Sequence, residues 1–378
     1  MKNRFLYGFI IALCLFAPSS FAAGWQPLFD GAGLDGWKTV GDSQWSAKDG
    51  VLSVKGTGSE MGWLIYEKSC SDFVLRVRFQ WHGGNSGIQF RSQMKDGKMV
   101  GYQANLDFSR DMATGSLVEE NGRGLLQESE YSAAEIRRNG WNEYEISAVG
   151  DHIMLSVNGY VVLDFEDPDG PKDGFIALQM APGDKAALDF TDIRLLETRG
   201  NDWTPLFNGK DLTGWEPLGD CYWDVLHGQL VGQSRGGKYG WLVSKDQFKD
   251  FHFSTRFLVP RGNSGIQFRS WVVGEMVHGT QADLAADSDW ISGHLYDQGE
   301  RGIFVKTDKD FSKLINWTGW NTYEVTAIGP KVQLFINGIQ SIEVDDPERL
   351  KAGVLAFQIH SGAKMVTFWE DLRIITFD

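Results

Sequence analysis

Asp283, His294, Tyr296 and His360 are four proton-carrying side chains in three short segments of the C-terminal half. Each lies in a stretch where polar and apolar residues alternate. Asn263, Gln267 and Arg269 alternate with Ile266 and Phe268, and Gln281 and Asp283 alternate with Ala282 and Leu284. His294 and Tyr296 flank Leu295, while Gln358 and His360 alternate with Phe357 and Ile359. Successive side chains of an extended strand point to opposite faces. The alternation therefore gathers amide, guanidinium, imidazole and carboxylate groups on one face and leaves the apolar groups for a core. If these strands are neighbours, the polar faces assemble one surface. Such a surface places titratable groups within reach of a bound molecule, and its planar amides hydrogen-bond hydroxyl groups in pairs. A solvated sheet face is the plainer alternative, but solvated faces favour Lys, Glu and Thr over Asn, Gln, His and Arg. The surface suits a carbohydrate, whose C–H faces also stack on Trp or Tyr.

The elements that must carry these residues are written twice. Trp25-Gln-Pro-Leu-Phe-Asp-Gly recurs as Trp203-Thr-Pro-Leu-Phe-Asn-Gly, and Gly62-Trp-Leu as Gly240-Trp-Leu, both at an offset of 178. The octapeptide Gly84-Asn-Ser-Gly-Ile-Gln-Phe-Arg91 recurs letter for letter as Gly262 to Arg269. After one inserted residue the offset becomes 179, pairing Trp141-Asn142 with Trp320-Asn321 and Asn158-Gly159 with Asn337-Gly338. A period this long exceeds that of any solenoid repeat and marks a duplicated domain. Residues 23–198 and 203–378 form the two copies, joined by a short polar stretch. Each copy reads as all-β: Phe73–Phe79, Tyr144–Val149 and Phe175–Met180 alternate, and the two Asn-Gly pairs predict two-residue hairpins. No segment sustains a helical period. Many short strands with Gly-rich turns predict two tandem jelly-roll β-sandwiches.

Composition bounds the partner. The chain has 36 basic and 50 acidic residues, for a net charge of −14. Nucleic-acid binding is disfavoured, because neutralising phosphates needs excess Lys and Arg. Residues 1–22 pair an early Lys2 and Arg4 with a short apolar run and a small-residue cleavage site. They read as a secretory signal peptide, so the mature chain is expected to be exported, periplasmic or extracellular, without a transmembrane segment. Cys70 and Cys221 occupy non-equivalent positions and predict neither a disulfide nor a zinc site.

The first copy keeps the amides but loses the titratable groups. Asn85, Gln89, Arg91 and Gln103 persist, whereas Asp283 becomes Asn105, His294 becomes Ser116, Tyr296 becomes Val118 and His360 becomes Ala181. Asp297 and Arg301 match Glu119 and Arg123. The second copy is therefore the better catalytic candidate and the first a binding or scaffolding copy. Trp37, Trp45, Trp215 and Trp223 recur in both copies and read as core. Trp271 and Trp290 have no counterpart and are candidate platforms for a sugar ring. His82, His152, His227 and His252 also lack counterparts and are expected at the surface.

Leu206-Phe-Asn-Gly-Lys-Asp-Leu-Thr-Gly-Trp215, the octapeptide, Trp320-Asn321 and Phe357-Gln-Ile-His360 resemble the bacterial 3-keto-disaccharide hydrolase-like family. Its fold is related to that of concanavalin A-like lectins and glucanases. The resemblance covers each half once and implies a jelly roll with a carbohydrate site on its concave face, cleaving glycosides already oxidised at C3. The sequence departs from the family's Gly-Tyr-Glu-x-Gln pattern, with Gln103 and Gln281 in place of the carboxylate. The implied chemistry begins with the ketone, which acidifies the C2 proton. A base removes that proton, the C1 substituent leaves by elimination, and water can then add. On this reading His360 or Asp283 is the base, His294 or Tyr296 protonates the leaving oxygen, and Arg269 with Asn263 steadies the enolate oxygen. Gln267, Gln281, Asp297, Arg301 and Gln358, with Asn85, Gln89, Arg91, Gln103 and Asn105 in the first copy, complete the expected substrate-binding set. No compact metal-ligand motif such as His-Glu-x-x-His occurs, but a divalent metal ion held by Asp283, His294 and His360 is one possible cofactor, as a Lewis acid on the ketone. Two other readings stand beside catalysis: a non-catalytic tandem carbohydrate-binding protein and an adhesion or surface-scaffold protein.

Overall fold

The computed structural model describes residues 24–108, 114–129, 136–183, 185–286, 292–349, 351–361 and 365–377. The proposed signal peptide and Trp290 lie outside the described residues. Among those described, each half forms one eight-stranded and one seven-stranded antiparallel sheet, packed as a sandwich. The chain is thus all-β, as expected, with two tandem sandwiches and no α-helix among the described residues.

In the second half the seven-stranded sheet matters most. Its order runs Trp215–Gly219, Gly240–Phe248, Gly353–Ile359, Asn263–Val273, Met276–Ala285, Leu295–Gln298 and Gly302–Val305. The four polar segments thus lie on neighbouring strands, although 97 residues separate Asn263 from His360 in the chain. Ile266, Phe268, Ala282, Leu284, Leu295, Phe357 and Ile359 turn inward to a core shared with Phe253, Tyr323 and Trp369 of the other sheet. Both Asn-Gly pairs make the expected hairpins. Asn158 and Gly159 have φ of 51° and 80°, and Asn337 and Gly338 have 49° and 69°, the left-handed conformation such two-residue turns require.

The two eight-stranded sheets pack against each other. Trp25, Val74 and Leu196 of the first half form one apolar cluster with Ile328, Phe335 and Ile375 of the second. The Trp25 Nε1–H donates to Thr326 Oγ1 at 3.1 Å. Arg76 is fully buried among Glu143, Glu145 and Glu324, and Arg373 reaches across to Glu145 at 3.1 Å. His252, expected at the surface, is fully buried here, with Nδ1 2.9 Å from Thr326 Oγ1. Burial and the nearby Arg76 and Arg373 push its pKa well below the usual imidazole range. The equivalent position in the first half, Val74, is buried in the same seam. With both eight-stranded sheets covered, the seven-stranded sheets present their outer faces to solvent.

Candidate functional site

The outer face of the second seven-stranded sheet holds a small open pocket lined by Tyr239, Asn263, Gln281, Asp283, Tyr296, Gln298, Gln358 and His360. Strand alternation brings Asn263, Gln281, Asp283, Tyr296, Gln358 and His360 together as expected. Gly265 makes room for the floor. A Cβ there would sit 2.7 Å from Gln281 Cγ, so the third residue of the repeated Asn-Ser-Gly must lack a side chain for Gln281 to lie across it.

An amide chain runs beneath the pocket. Ser270 Oγ donates to Gln267 Oε1 at 3.0 Å, and Gln267 Nε2 donates to Gln281 Oε1 at 2.8 Å. Gln281 Nε2 then donates to Asp283 Oδ1 at 2.7 Å and to Gln358 Oε1 at 3.1 Å. Each acceptor fixes the orientation of the next amide. Gln267 is fully buried and does not line the pocket, so it positions Gln281. Asp283 is only 1% exposed. Burial pushes its carboxyl up to about 7, against the Gln281 hydrogen bond, which lowers it. Its Oδ2 is buried without a hydrogen-bond partner among the described residues.

On the opposite wall, His360 Nδ1 lies 3.0 Å from the Ser361 carbonyl and Nε2 lies 3.1 Å from Tyr239 Oη. Tyr239 stacks on Trp241 with ring centroids 5.7 Å apart. Neither Tyr239 nor Gln298 was singled out from the sequence. The signal was present for Tyr239, because the first half has Met61 at that position.

Several expected residues lie elsewhere. Arg269 has φ of 47° at a bulge where the pairing register shifts. The bulge breaks the alternation and turns Arg269 out of the polar face. Its guanidinium donates to the carbonyls of Lys249 at 2.7 Å, Gly329 at 2.8 Å and Arg349 at 2.9 Å, and pairs with Asp250 at 2.9 Å. Arg269 therefore ties loops together and does not steady an enolate. Arg91 does the same in the first half, with φ of 46° and bonds to the carbonyls of Ser71 and Gly150, each at 2.8 Å. Asp297 lies on the side of its strand opposite Tyr296 and Gln298. There it pairs with Arg301 at 2.5 Å and Arg349 at 2.7 Å, while Arg301 also holds Asp346 at 2.9 Å. Asp297 and Arg301 are thus consumed in a structural ion network and do not face a substrate.

His294 is paired across the strands with Asp283, but its Nδ1 accepts from the Thr307 N–H at 3.4 Å and it does not line the pocket. Among the described residues no three His, Cys, Asp or Glu side chains gather where a metal ion would sit. Asp283, His294 and His360 therefore do not form the metal-ligand set considered from the sequence. Trp271 stacks on His278 and receives Arg349 over its ring. His278 shares the parity of Thr280 and Ala282, so this ring lies on the side of the sheet away from the pocket.

In the first half, Gln89 Nε2 donates to Gln103 Oε1 at 2.6 Å and Gln103 Nε2 to Asn105 Oδ1 at 3.2 Å. The amide chain is the same, but it ends on an amide in place of a carboxylate. Asn85 holds Ala181 through its backbone carbonyl, at 3.0 Å.

Residues 24–196 and 202–375 each match a family model described as the 3-keto-alpha-glucoside-1,2-lyase-like domain. Among solved structures, a proposed glycosyl hydrolase from Parabacteroides distasonis is 22% identical, covering 47% of this chain and 94% of that chain, with a TM-score of 0.36. The carbohydrate-binding module CBM66 from Bacillus subtilis is 24% identical, covering 42% and 93%, with a TM-score of 0.35. A galectin-like protein of unknown function from Bacillus subtilis is 13% identical, covering 46% and 94%, with a TM-score of 0.37. No curated protein matches the chain.

Proposed function

The chain belongs, in both halves, to the 3-keto-alpha-glucoside-1,2-lyase-like domain family, and we propose that its second half removes the C2 proton of a 3-keto-glycoside and eliminates the group at C1. One observation carries this reading: Asp283 is buried in the pocket with a pKa raised to about 7 and an unpartnered Oδ2. A general base works best when its pKa lies near the working pH. Desolvation supplies that match here, and the Gln281 hydrogen bond keeps the carboxyl oriented. Ordinary glycoside hydrolysis uses two carboxylates flanking the bond. Among the described residues Asp283 is the sole carboxylate of this pocket lining, which fits a ketone-activated elimination better.

Asp283 takes the C2 proton, and the C2–H electron pair forms the enolate conjugated with the C3 ketone. Gln358 accepts from Gln281 through Oε1, leaving its amide nitrogen to donate. With the Asn263 amide it borders the pocket and suits the developing enolate oxygen. Collapse of the enolate forms the C1–C2 double bond and expels the C1 oxygen, which takes a proton from a second pocket group. Water adding at C1 of the enone completes a net hydrolysis.

The first half supports a second reading for itself. Met61, Asn105, Val118 and Ala181 stand where the second half has Tyr239, Asp283, Tyr296 and His360, so it keeps amides without a base. That face suits carbohydrate binding without turnover. Residues 1–22 fit export, where such substrates are met outside the cytoplasm. Incubation of the mature protein with 3-keto-glucosides in D₂O tests the reading. Deuterium entering C2 and an enone absorbance are the expected results. Sugar binding with neither signal would leave the chain a tandem carbohydrate-binding protein.

A further inference from the structure

Tyr239 and His360 form a hydrogen-bonded pair in the pocket wall facing Asp283. The Ser361 carbonyl, 3.0 Å from His360 Nδ1, can only accept, so Nδ1 carries a proton and its tautomer is set. Nε2 is then the ring atom that meets Tyr239 Oη, 3.1 Å away. The rings meet edge to face, with centroids 4.7 Å apart, and Tyr239 is held from behind by the buried Trp241. The strand ending at His360 and the strand of Asp283 are separated by one strand, which puts their backbones about 10 Å apart at ~4.8 Å per strand. The first half lost both members of the pair together, as Met61 and Ala181, along with the carboxylate, as Asn105. Loss of all three, with the amide chain retained, links the pair to the task of Asp283 and not to the amides.

We propose that Tyr239 is the proton donor to the leaving-group oxygen and that His360 orients its hydroxyl. This rests on the elimination reading. When the C1–O bond breaks, its electron pair goes to the leaving oxygen, which takes the Tyr239 Oη proton. The tyrosinate is reprotonated by solvent as the product leaves. Asp283 gains the C2 proton while Tyr239 loses one, so the net charge of the pocket is unchanged through the step. The step needs no co-reactant beyond substrate and water.

Leaving-group dependence in the full mature protein tests this, using Tyr239→Phe and His360→Gln with melting temperatures recorded alongside. The probes are methyl 3-keto-glucoside, whose alkoxide needs a proton to leave, and 4-nitrophenyl 3-keto-glucoside, whose phenolate does not. Tyr239→Phe is expected to lower kcat on the methyl glycoside by about 100-fold or more and on the nitrophenyl glycoside by less than about 3-fold. C2 deuterium exchange should persist. His360→Gln, which removes the ring that holds the Tyr239 hydroxyl, should show a selective loss in the same direction. Equal losses on both probes, or no loss on the methyl glycoside, overturn the proposal while leaving Asp283 as base. Absence of C2 exchange and turnover in the wild-type protein overturns the elimination reading and this proposal with it.

Discussion

Gln281 Nε2 donates to Asp283 Oδ1 at 2.7 Å, and the same amide nitrogen reaches Gln358 Oε1 at 3.1 Å. Both amide protons are therefore committed, so Gln281 cannot turn over and present its oxygen to Asp283. The donated hydrogen bond supports the charged form of Asp283 while burial opposes it.

Asp283→Asn is expected to abolish C2 exchange, with kcat/KM falling by about 10²–10⁴. For the wild type, kcat/KM should rise with pH through an apparent pKa of about 7, because the base must be ionised. The same shift affects stability with the opposite sense. The folded pKa lies above the unfolded value of about 3.9, so the native state binds more protons between about pH 4 and pH 7. The stabilisation from Asp283 is complete below about pH 4 and is lost as pH rises to about 7. Asn cannot ionise, so the variant should melt higher than the wild type at pH 8, with the difference shrinking towards pH 4. Thermal unfolding across that range checks the sign.

Gln281→Leu removes the hydrogen bond that favours the charged carboxylate. The midpoint of the rate profile should move above its wild-type position, so that activity at pH 7 falls while activity at pH 9 recovers part of the loss. Gln267 and Gln358 also lose their shared partner, at a stability cost of about 1–3 kcal/mol. A profile with unchanged midpoint would show that burial alone sets the Asp283 pKa.

Arg269→Ala should act on stability and not on substrate binding. Its guanidinium serves three carbonyls and Asp250, and removal strands them at a cost of about 3 kcal/mol. KM for the folded fraction should match the wild type. A raised KM with an unchanged melting temperature would return Arg269 to the substrate.

Arg76→Met should weaken the packing of the two halves. It leaves Glu143, Glu145 and Glu324 buried without their shared cation, and breaking a buried pair costs about 3–5 kcal/mol. Burial already raises the Glu143 and Glu324 pKa values, against the pull of Arg76. Without Arg76 they rise further, so the deficit should grow as pH rises and the carboxyls are forced to ionise. Denaturant unfolding at pH 5.5 and 8.5 measures this, with the larger loss expected at 8.5.

Much of this protein was legible in one dimension. Duplication shows in the octapeptide, the Asn-Gly hairpins show in their residues, and the period-2 alternation sorts Asn263, Gln281, Asp283, Tyr296, Gln358 and His360 onto one face. These depend on local sterics, which neighbouring residues determine. Alternation failed at Arg269, because a bulge is a property of two paired strands and leaves no mark in either strand alone. It also could not say what Asp297 faces: a carboxylate turned away from the pocket is legible only once Arg301 and Arg349 are seen to close around it. Tyr239 sits one residue before a strand, and its value depends on His360, 121 residues later. His252 looked solvated until the second sandwich was placed against the first. The amino-acid order by itself determined the strands, their faces and the repeat, since backbone pleat and turn conformation are set within a few residues. Which of those faces became a pocket, an ion network or a buried seam was decided only by the tertiary structure, because burial and charge pairing depend on what the rest of the chain brings alongside.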